Sequence, residues 1–304
     1  MTDTTSSTPV ASAPHPVADW IALTRPRIAS FVALASYVGG WLATDGQAGA
    51  ARLAEAALYV TLTAAAASIF NAVLERDTDG LMERTKARPL PTGRIGVAPA
   101  TTVGALAAVG GTLGLALRFE PWAALLALGT ILAYALVYTP LKRVTTFNTV
   151  VGAVPGAMPP LLGHVAQTGD GGVWGWSLFA VLFVWQFPHF FAIAWLYRED
   201  YARADLRMLA SAPGSVGLAG RQSLVYCLPI LPVSLLPLFE RAAGAIYLFG
   251  AVAAGLAFVL ASLGFALRED ERNARRLLRT SLLYLPLLLG LAILDRMAWS
   301  SLAW

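Results

Sequence analysis

The chain is poor in charge: of 304 residues, only 13% are Asp, Glu, Lys or Arg. A soluble globular domain carries roughly twice that fraction, so an ordinary water-facing surface is excluded. Cysteine is nearly absent. The single thiol, Cys227, lies in an apolar run, which rules out internal disulfides and thiolate metal sites. No GxxxxGKS, HExxH or GxSxG pattern occurs, so nucleotide, zinc-protease and serine-hydrolase readings have no support. The N-terminus lacks both a basic region leading into an apolar signal and an Arg-rich presequence, which points to a bacterial cell membrane rather than a mitochondrial one. Residues 1–18, rich in Ser, Thr, Pro and Ala, read as a disordered cytoplasmic tail.

What is abundant is apolar length. Hydrophobic residues make up 57% of the chain, and the mean hydropathy is +0.62. A bilayer span needs about 20 mostly apolar residues. Nine stretches qualify, near 28–44, 53–75, 97–117, 121–139, 148–166, 174–197, 222–238, 243–267 and 277–295. The expected fold is therefore an all-α, polytopic membrane protein, with residues 19–304 forming a single transmembrane domain. Of the 22 Lys and Arg residues, 18 fall in the segments that share a side with the N-terminus, and only Arg52, Arg118, Arg241 and Arg296 fall on the other. The positive-inside rule then places the N-terminus in the cytoplasm. The pI near 9.4 is a consequence of those short loops and marks topology, not a nucleic-acid surface.

Two inner loops collect carboxylates. After the second span come Asn71, Glu75 and Asp79, spaced i, i+4, i+8. On a helix these lie on one face, each about 6 Å above the last, as a half-cage of oxygen ligands. Magnesium suits it, since that ion takes a few carboxylates together with waters and substrate phosphates. A cationic strip follows directly, with Arg84, Lys86, Arg88 and Arg94 in a loop broken by Pro89, Pro91 and Gly93. The second cluster, Tyr197-Arg198-Glu199-Asp200-Tyr201-Ala202-Arg203-Ala204-Asp205, follows the sixth span and must emerge on the same side. The spacing suggests two facing four-helix halves plus one extra helix, an arrangement that commonly places a ligand site at the repeat interface. Acidic patches beside cations at the mouth of an apolar bundle suit an isoprenoid diphosphate, whose tail needs apolar walls and whose head needs metal and cations. The competing reading is a set of solvated loops that only fix topology; such loops need no acidic ladder.

Further polar groups surround these clusters. Gln186, His189, Tyr197 and Asp200 fall on one helical stripe, so His189 is expected either to face a substrate or to be a buried structural histidine. Pro188 is expected to kink this span. His164, near the outer end of the fifth span, reads as structural. The loop around Lys142 and Arg143 offers two cations to a diphosphate, or else marks topology. The Gly- and Pro-rich run at 152–160 is expected to allow close helix approach and broken backbone lining a cavity.

The run NAVLERDTDGLMERTKARPLPTGRI at 71–95 is similar to the first aspartate-rich motif of UbiA-type intramembrane prenyltransferases, in the form with Glu at the middle position that protoheme farnesyltransferases carry. LTRPRI at 23–28, YTPLKR at 138–143, NTVVGAVPGAMPP at 148–160 and WQFPHFFAIAWLYREDYARA at 185–204 extend the resemblance over most of the chain. It implies a UbiA-type bundle in which Asn71, Glu75, Asp79 and Asp200 are the catalytic, Mg2+-binding set. Substrate-binding residues would be Arg84, Lys86, Arg88, Lys142 and Arg143, together with Arg27, Tyr197, Arg203, Gln186 and His189. The implied substrates are farnesyl diphosphate and heme B, the product is heme O, and the implied partners are the lipid bilayer and a downstream heme A synthase. Arg25 stands where the family usually has Lys, His164 where it has an aromatic, and Asp205 and Arg207 where it has small and apolar residues. Two alternatives remain: a UbiA-type enzyme acting on a quinone precursor or chlorophyllide, and a transporter, which would carry its charges in mid-span.

Overall fold

The computed structural model describes residues 16–209 and 217–302, except the side chains of 299–302. Most of the expected tail, with His15, lies outside the described residues, and a short helix α1 (Pro16–Leu23) begins before the boundary placed at residue 18. Among the described residues every regular element is helical. The first half holds α2 (Pro26–Ala43), α3 (Ala50–Leu74), the single turn α4 (Arg76–Asp79), α5 (Val97–Arg118) and α6 (Pro121–Leu132). α6 continues through a π-helical stretch, Ala133–Tyr138, into α7 (Thr139–Leu141). Next come α8 (Asn148–Thr168), α9 (Gly172–Leu196) and α10 (Arg198–Arg203). The chain closes with α11 (Leu218–Cys227), α12 (Ile230–Ser234) and α13 (Leu236–Phe239), which together make one span, then α14 (Ala245–Leu267) and α15 (Glu271–Leu302).

Eight of these helical segments are long and apolar enough to cross a membrane. The remaining expected span, the first, is α2, whose 18 residues include Arg27. All nine anticipated stretches are thus helices, with ends within several residues of those read from the sequence. Packing arranges them in two groups. Helices α2, α3, α5 and α6 follow one another in contact, and α8 closes the circle against α6 and α2. Helices α9, α11, α14 and α15 form the second group, joined to the first through α8 against α9 and through α2 against α9 and α15. The ninth span, α15, is part of this second group, packed against both α9 and α14.

The closure of the first group, α8 against α2, depends on residues without bulk. A Cβ at Gly39 would lie 2.0 Å from the carbonyl oxygen of Pro160, and one at Gly163 would lie 1.9 Å from that of Ser36. Helices α2 and α8 therefore touch backbone to backbone, the close approach that small residues permit in bilayers. One expectation about α8 fails. Its helix is continuous through Pro155, Pro159 and Pro160, and the backbone is not broken. Neighbours on several sides hold it: α2, α9 and α6 all pack on it, and most of its residues are buried. Helix α9 likewise runs through Pro188 without interruption.

Candidate active site

The site is built where α3 ends. Regular helix stops at Leu74, Glu75 takes φ −97° and ψ 4°, and α4 adds one turn. The ladder nevertheless continues across the break: the Glu75 amide donates to Asn71 O at 2.9 Å and the Asp79 amide to Glu75 O at 2.7 Å. Asn71, Glu75 and Asp79 are all buried, whereas Arg76, Asp77 and Gly80 are exposed. Burial of three polar side chains in succession at a span end requires partners, because an unpaired buried charge is costly.

Those partners are cations from three separate elements. Lys142, just past α7, places Nζ 2.7 Å from Glu75 Oε1 and 4.5 Å from the centre of the Tyr138 ring. Arg88 donates from Nη1 to Asp79 Oδ2 at 2.8 Å. Arg25, between α1 and α2, donates from Nη2 to Asn71 Oδ1 at 2.6 Å. Asn71 in turn donates from Nδ2 to Thr139 Oγ1 at 2.9 Å, and Thr139 Oγ1 donates to Tyr134 O within the π-helical stretch. Both ends of the Asn71 amide are therefore engaged. Asn71 thus ties α3 to Arg25 and α7, and each of the three oxygen groups expected from the spacing has its own cation. A small cavity of about 60 Å3 opens beside them, lined by Arg25, Asp79 and Arg88.

Arg25 escapes a reading of sequence alone. The residue before a proline normally avoids helical conformations, yet Arg25 precedes Pro26 and adopts the left-handed φ 51°, ψ 67°. Such an outlier persists only where its surroundings enforce it, and such residues cluster at functional sites. Arg27, the cation expected here, is exposed on α2, and no side-chain partner is found for it among the described residues. Arg25 replaces it at the site.

The second cluster reaches the first through the intervening loop. α9 ends with the same kind of break, at Tyr197 (φ −114°, ψ 25°), and α10 carries Asp200. The Asp200 carboxylate accepts the amides of Glu83 at 3.3 Å and Arg84 at 3.4 Å, and Arg203 donates to it as well. Arg84 lies over the rings of Tyr197 and Tyr201, at 5.1 and 5.9 Å. Asp200 therefore clasps the cationic loop to the second half of the bundle, and it does not join Glu75 and Asp79 in one cage. Among the described residues no three His, Cys, Asp or Glu side chains stand together as a metal site. Burial pushes the Asp200 carboxyl up, but Arg203 and the two loop amides outweigh it and hold it below its ordinary value. A depressed carboxylate contributes stability that is complete above its ordinary pKa, near 4, and lost as pH falls through the lowered one. The clasp should thus survive at about pH 5. Hydrogen exchange of the Glu83 and Arg84 amides checks this: protection should match that at neutral pH, and loss of protection would contradict it.

The other expected residues fall into two sets. Lys86 pairs with Glu83 at 2.5 Å on the exposed side of the loop, and Arg143 is exposed. Gln186 is turned onto α8 and its own helix: its amide nitrogen donates to Ala153 O and Leu182 O, both at 3.0 Å. It packs so closely on α8 that a Cβ at Gly156 would meet its Oε1 at 2.1 Å. His189 is buried, stacks on Trp185 with centroids 4.6 Å apart, and has Nδ1 2.8 Å from Ser281 Oγ on α15. The Ser281 hydroxyl donates to Leu278 O, so His189 Nδ1–H is the donor to it and Nε2 is left as an acceptor. His189→Ala should lower the melting temperature by removing this link between α9 and α15, since an unpaired buried partner costs about 1–3 kcal/mol. Heme and prenyl diphosphate titrations on the same preparation should weaken in parallel; selective loss of heme binding at unchanged stability would make His189 a heme contact instead. His164 has Nδ1 3.1 Å from Asp170 O, near the far end of α8.

Two buried carboxylates on consecutive helical turns are faced by three cations from other elements, at the end of an apolar bundle. The sequence profile of the UbiA prenyltransferase family matches residues 32–285, and the chain belongs to that family. Its fold is shared with solved structures. A digeranylgeranylglyceryl phosphate synthase superposes with a TM-score of 0.78 at 15% identity, covering 93% of this chain and 99% of the other. A UbiA homolog from Archaeoglobus fulgidus bound to DMAPP and Mg2+ gives 0.66 at 15% identity, over 90% and 99%. Nearer in sequence are protoheme IX farnesyltransferases. That of Solibacter usitatus is 39% identical over 287 residues, covering 91% of this chain and 98% of the relative. That of Myxococcus xanthus is 40% identical over 286 residues, covering 94% and 97%.

Proposed function

We infer that this chain transfers the farnesyl group of farnesyl diphosphate to a vinyl group of protoheme IX, with addition of water, giving heme O. The observation that carries this reading is the pairing of Glu75 with Lys142 and of Asp79 with Arg88 at the bundle mouth. It is joined by 39–40% identity, over nearly full length, to proteins of that activity. The residues fit a magnesium ion: Glu75 and Asp79 offer hard, buried carboxylate oxygens, too few for an all-protein cage and suited to an ion that also takes phosphate oxygens. When held by Glu75 and Asp79, Mg2+ would supply stabilisation for the negative charge of the leaving diphosphate. A related fold bound to DMAPP and Mg2+ supports the same requirement here.

This chain's own residues do the rest. Lys142, Arg88 and Arg25 are preorganised cations around the carboxylates and would bind diphosphate oxygens, where ionisation of the farnesyl C1–O bond builds negative charge. Arg84, fixed by its backbone bond to Asp200 and its stacking on Tyr197, adds a cation from the clasped loop. The terminal vinyl carbon bonds to C1 as the C1–O bond breaks; water then bonds to the adjacent cationic carbon and loses a proton, and diphosphate departs. Water must be excluded before alkylation, since it would capture the allylic cation first. The apolar walls of the bundle serve that exclusion.

The enzyme sits in the bacterial cell membrane with its N-terminus and active site on the cytoplasmic side, a placement supported by the crowding of Lys and Arg on that side. Its product would pass to a heme A synthase.

Arg88→Ala should raise KM for farnesyl diphosphate roughly ten- to hundredfold, because a charge-assisted contact to phosphate is worth about 1.5–3 kcal/mol. Heme binding should be unchanged; an unaltered KM would restrict Arg88 to a structural pairing with Asp79. The reading as a whole is tested by incubating purified protein and labelled farnesyl diphosphate with protoheme IX, a quinone precursor and chlorophyllide in parallel. Label should enter the heme alone, and transfer to another acceptor in its place would move the enzyme to a different branch of the family.

A further inference from the structure

We propose that the N-terminal end of α15 is a binding site for the headgroup of an anionic phospholipid. An open cleft of about 500 Å3 lies there, lined on α15 by Arg272, Asn273, Arg276, Arg279, Thr280 and Leu283 and, just before it, by Arg268 and Asp270. Arg272, Arg276 and Arg279 are spaced by four and three residues, so they share one helix face. All three are exposed, and no acidic partner is found for any of them among the described residues. Their neighbours differ. Arg275, off that face, is paired with Glu271 at 2.6 Å, and the Asp270 carboxylate accepts the Asn273 amide at 2.9 Å, where it caps the helix start.

Three unpaired cations on one helix face repel one another, and Arg272, in the first turn, also opposes the positive end of the macrodipole. A bound phosphate would offset that repulsion. What lies beneath says which phosphate. The same face continues into the bilayer as Leu283, Leu287 and Leu294, which are 72%, 52% and 58% exposed. A cationic head position continuous with an apolar, outward-facing stripe fits an amphiphile whose acyl chains lie in the bilayer, and basic pockets at helix ends recognise such headgroups. The prenyl substrate fits less well, because the cleft has no buried carboxylate pair like Glu75 and Asp79. The inner-facing residues of α15, Leu277, Ser281 and Leu285, are buried against the bundle, so the cleft is separate from the diphosphate site.

The test uses full-length protein reconstituted in nanodiscs or micelles, with lipid binding measured by native mass spectrometry and by lipid-dependent melting temperature. Phosphatidylglycerol should bind and raise the melting temperature more than phosphatidylcholine does. The triple variant Arg272→Gln, Arg276→Gln, Arg279→Gln should weaken phosphatidylglycerol binding on the order of a hundredfold, as three surface cations contribute about fivefold each. Arg275→Gln should leave it unchanged, and Arg276→Gln alone gives a partial loss if the triple variant does not fold. Equal phosphatidylglycerol binding by wild type and variants would overturn the proposal. So would reproduction of the effect by inorganic phosphate, or displacement of the lipid by farnesyl diphosphate, which would assign the cleft to free phosphate or to substrate.

Discussion

Replacing Glu75 with Gln should lower kcat on the order of a thousandfold while the protein still inserts into the membrane. The substitution keeps shape and removes one of two carboxylates available to a divalent ion. Loss of even a single preorganised electrostatic group at a reacting centre costs about a hundred- to thousandfold, and here both metal and diphosphate positioning fail together. The single variant also leaves Lys142 buried beside a neutral amide, a situation that costs about 3–5 kcal/mol when one partner of a buried pair is removed. Its melting temperature should therefore fall. The double variant Glu75→Gln, Lys142→Met separates the two consequences. It removes both charges, so stability should return toward wild type while activity stays lost. Were the pair merely structural, turnover would come back with the melting temperature.

The other large effect belongs to the fold. Gly163→Leu should abolish recovery of folded protein. The first added carbon alone would sit 1.9 Å from the Ser36 carbonyl oxygen on α2, so the helices would have to separate. Overpacking a core commonly costs about 1–3 kcal/mol, and a backbone collision with three further carbons behind it exceeds that range. Gly129→Leu is the matched control, since nothing lies within 4 Å of a Cβ there. Monodisperse yield from detergent and melting temperature should drop for Gly163→Leu alone; equal behaviour of the two would refute the close α2–α8 contact.

The sequence made the spans legible because a bilayer imposes one length and one composition on every crossing segment. It made Glu75 and Asp79 legible because helical spacing survives the break after Leu74. The inner loops were likewise legible as one assembly, since Lys142, Arg88 and Asp200 all reach residues around the first acidic cluster. Tertiary choices were not legible. Which oxygen Asn71 presents depends on Arg25, whose left-handed backbone contradicts the local rule for a residue before proline. Asp200 lies on the stripe with Gln186 and His189, yet each meets a different neighbour: loop amides, the α8 backbone and Ser281. Helical periodicity gives a face, and the element that happens to lie against that face decides the role. The prolines of α8 show the same limit, because the breaking tendency read locally is overridden by helices packed on several sides.

The acidic and cationic groups at the bundle mouth are proposed to serve farnesyl transfer to protoheme. Pigment analysis tests it most directly. Membranes from a bacterial host lacking its own heme-farnesylating enzyme are compared with and without this chain, and with Glu75→Gln, by extracting heme and identifying each species by mass. The account predicts a heme bearing a hydroxyethylfarnesyl group with the wild-type chain, and heme B alone without the chain or with Glu75→Gln at equal membrane abundance. Unmodified heme B in the presence of folded wild-type protein, or hydroxyethylfarnesyl heme from the Glu75→Gln variant at the wild-type level, would contradict it.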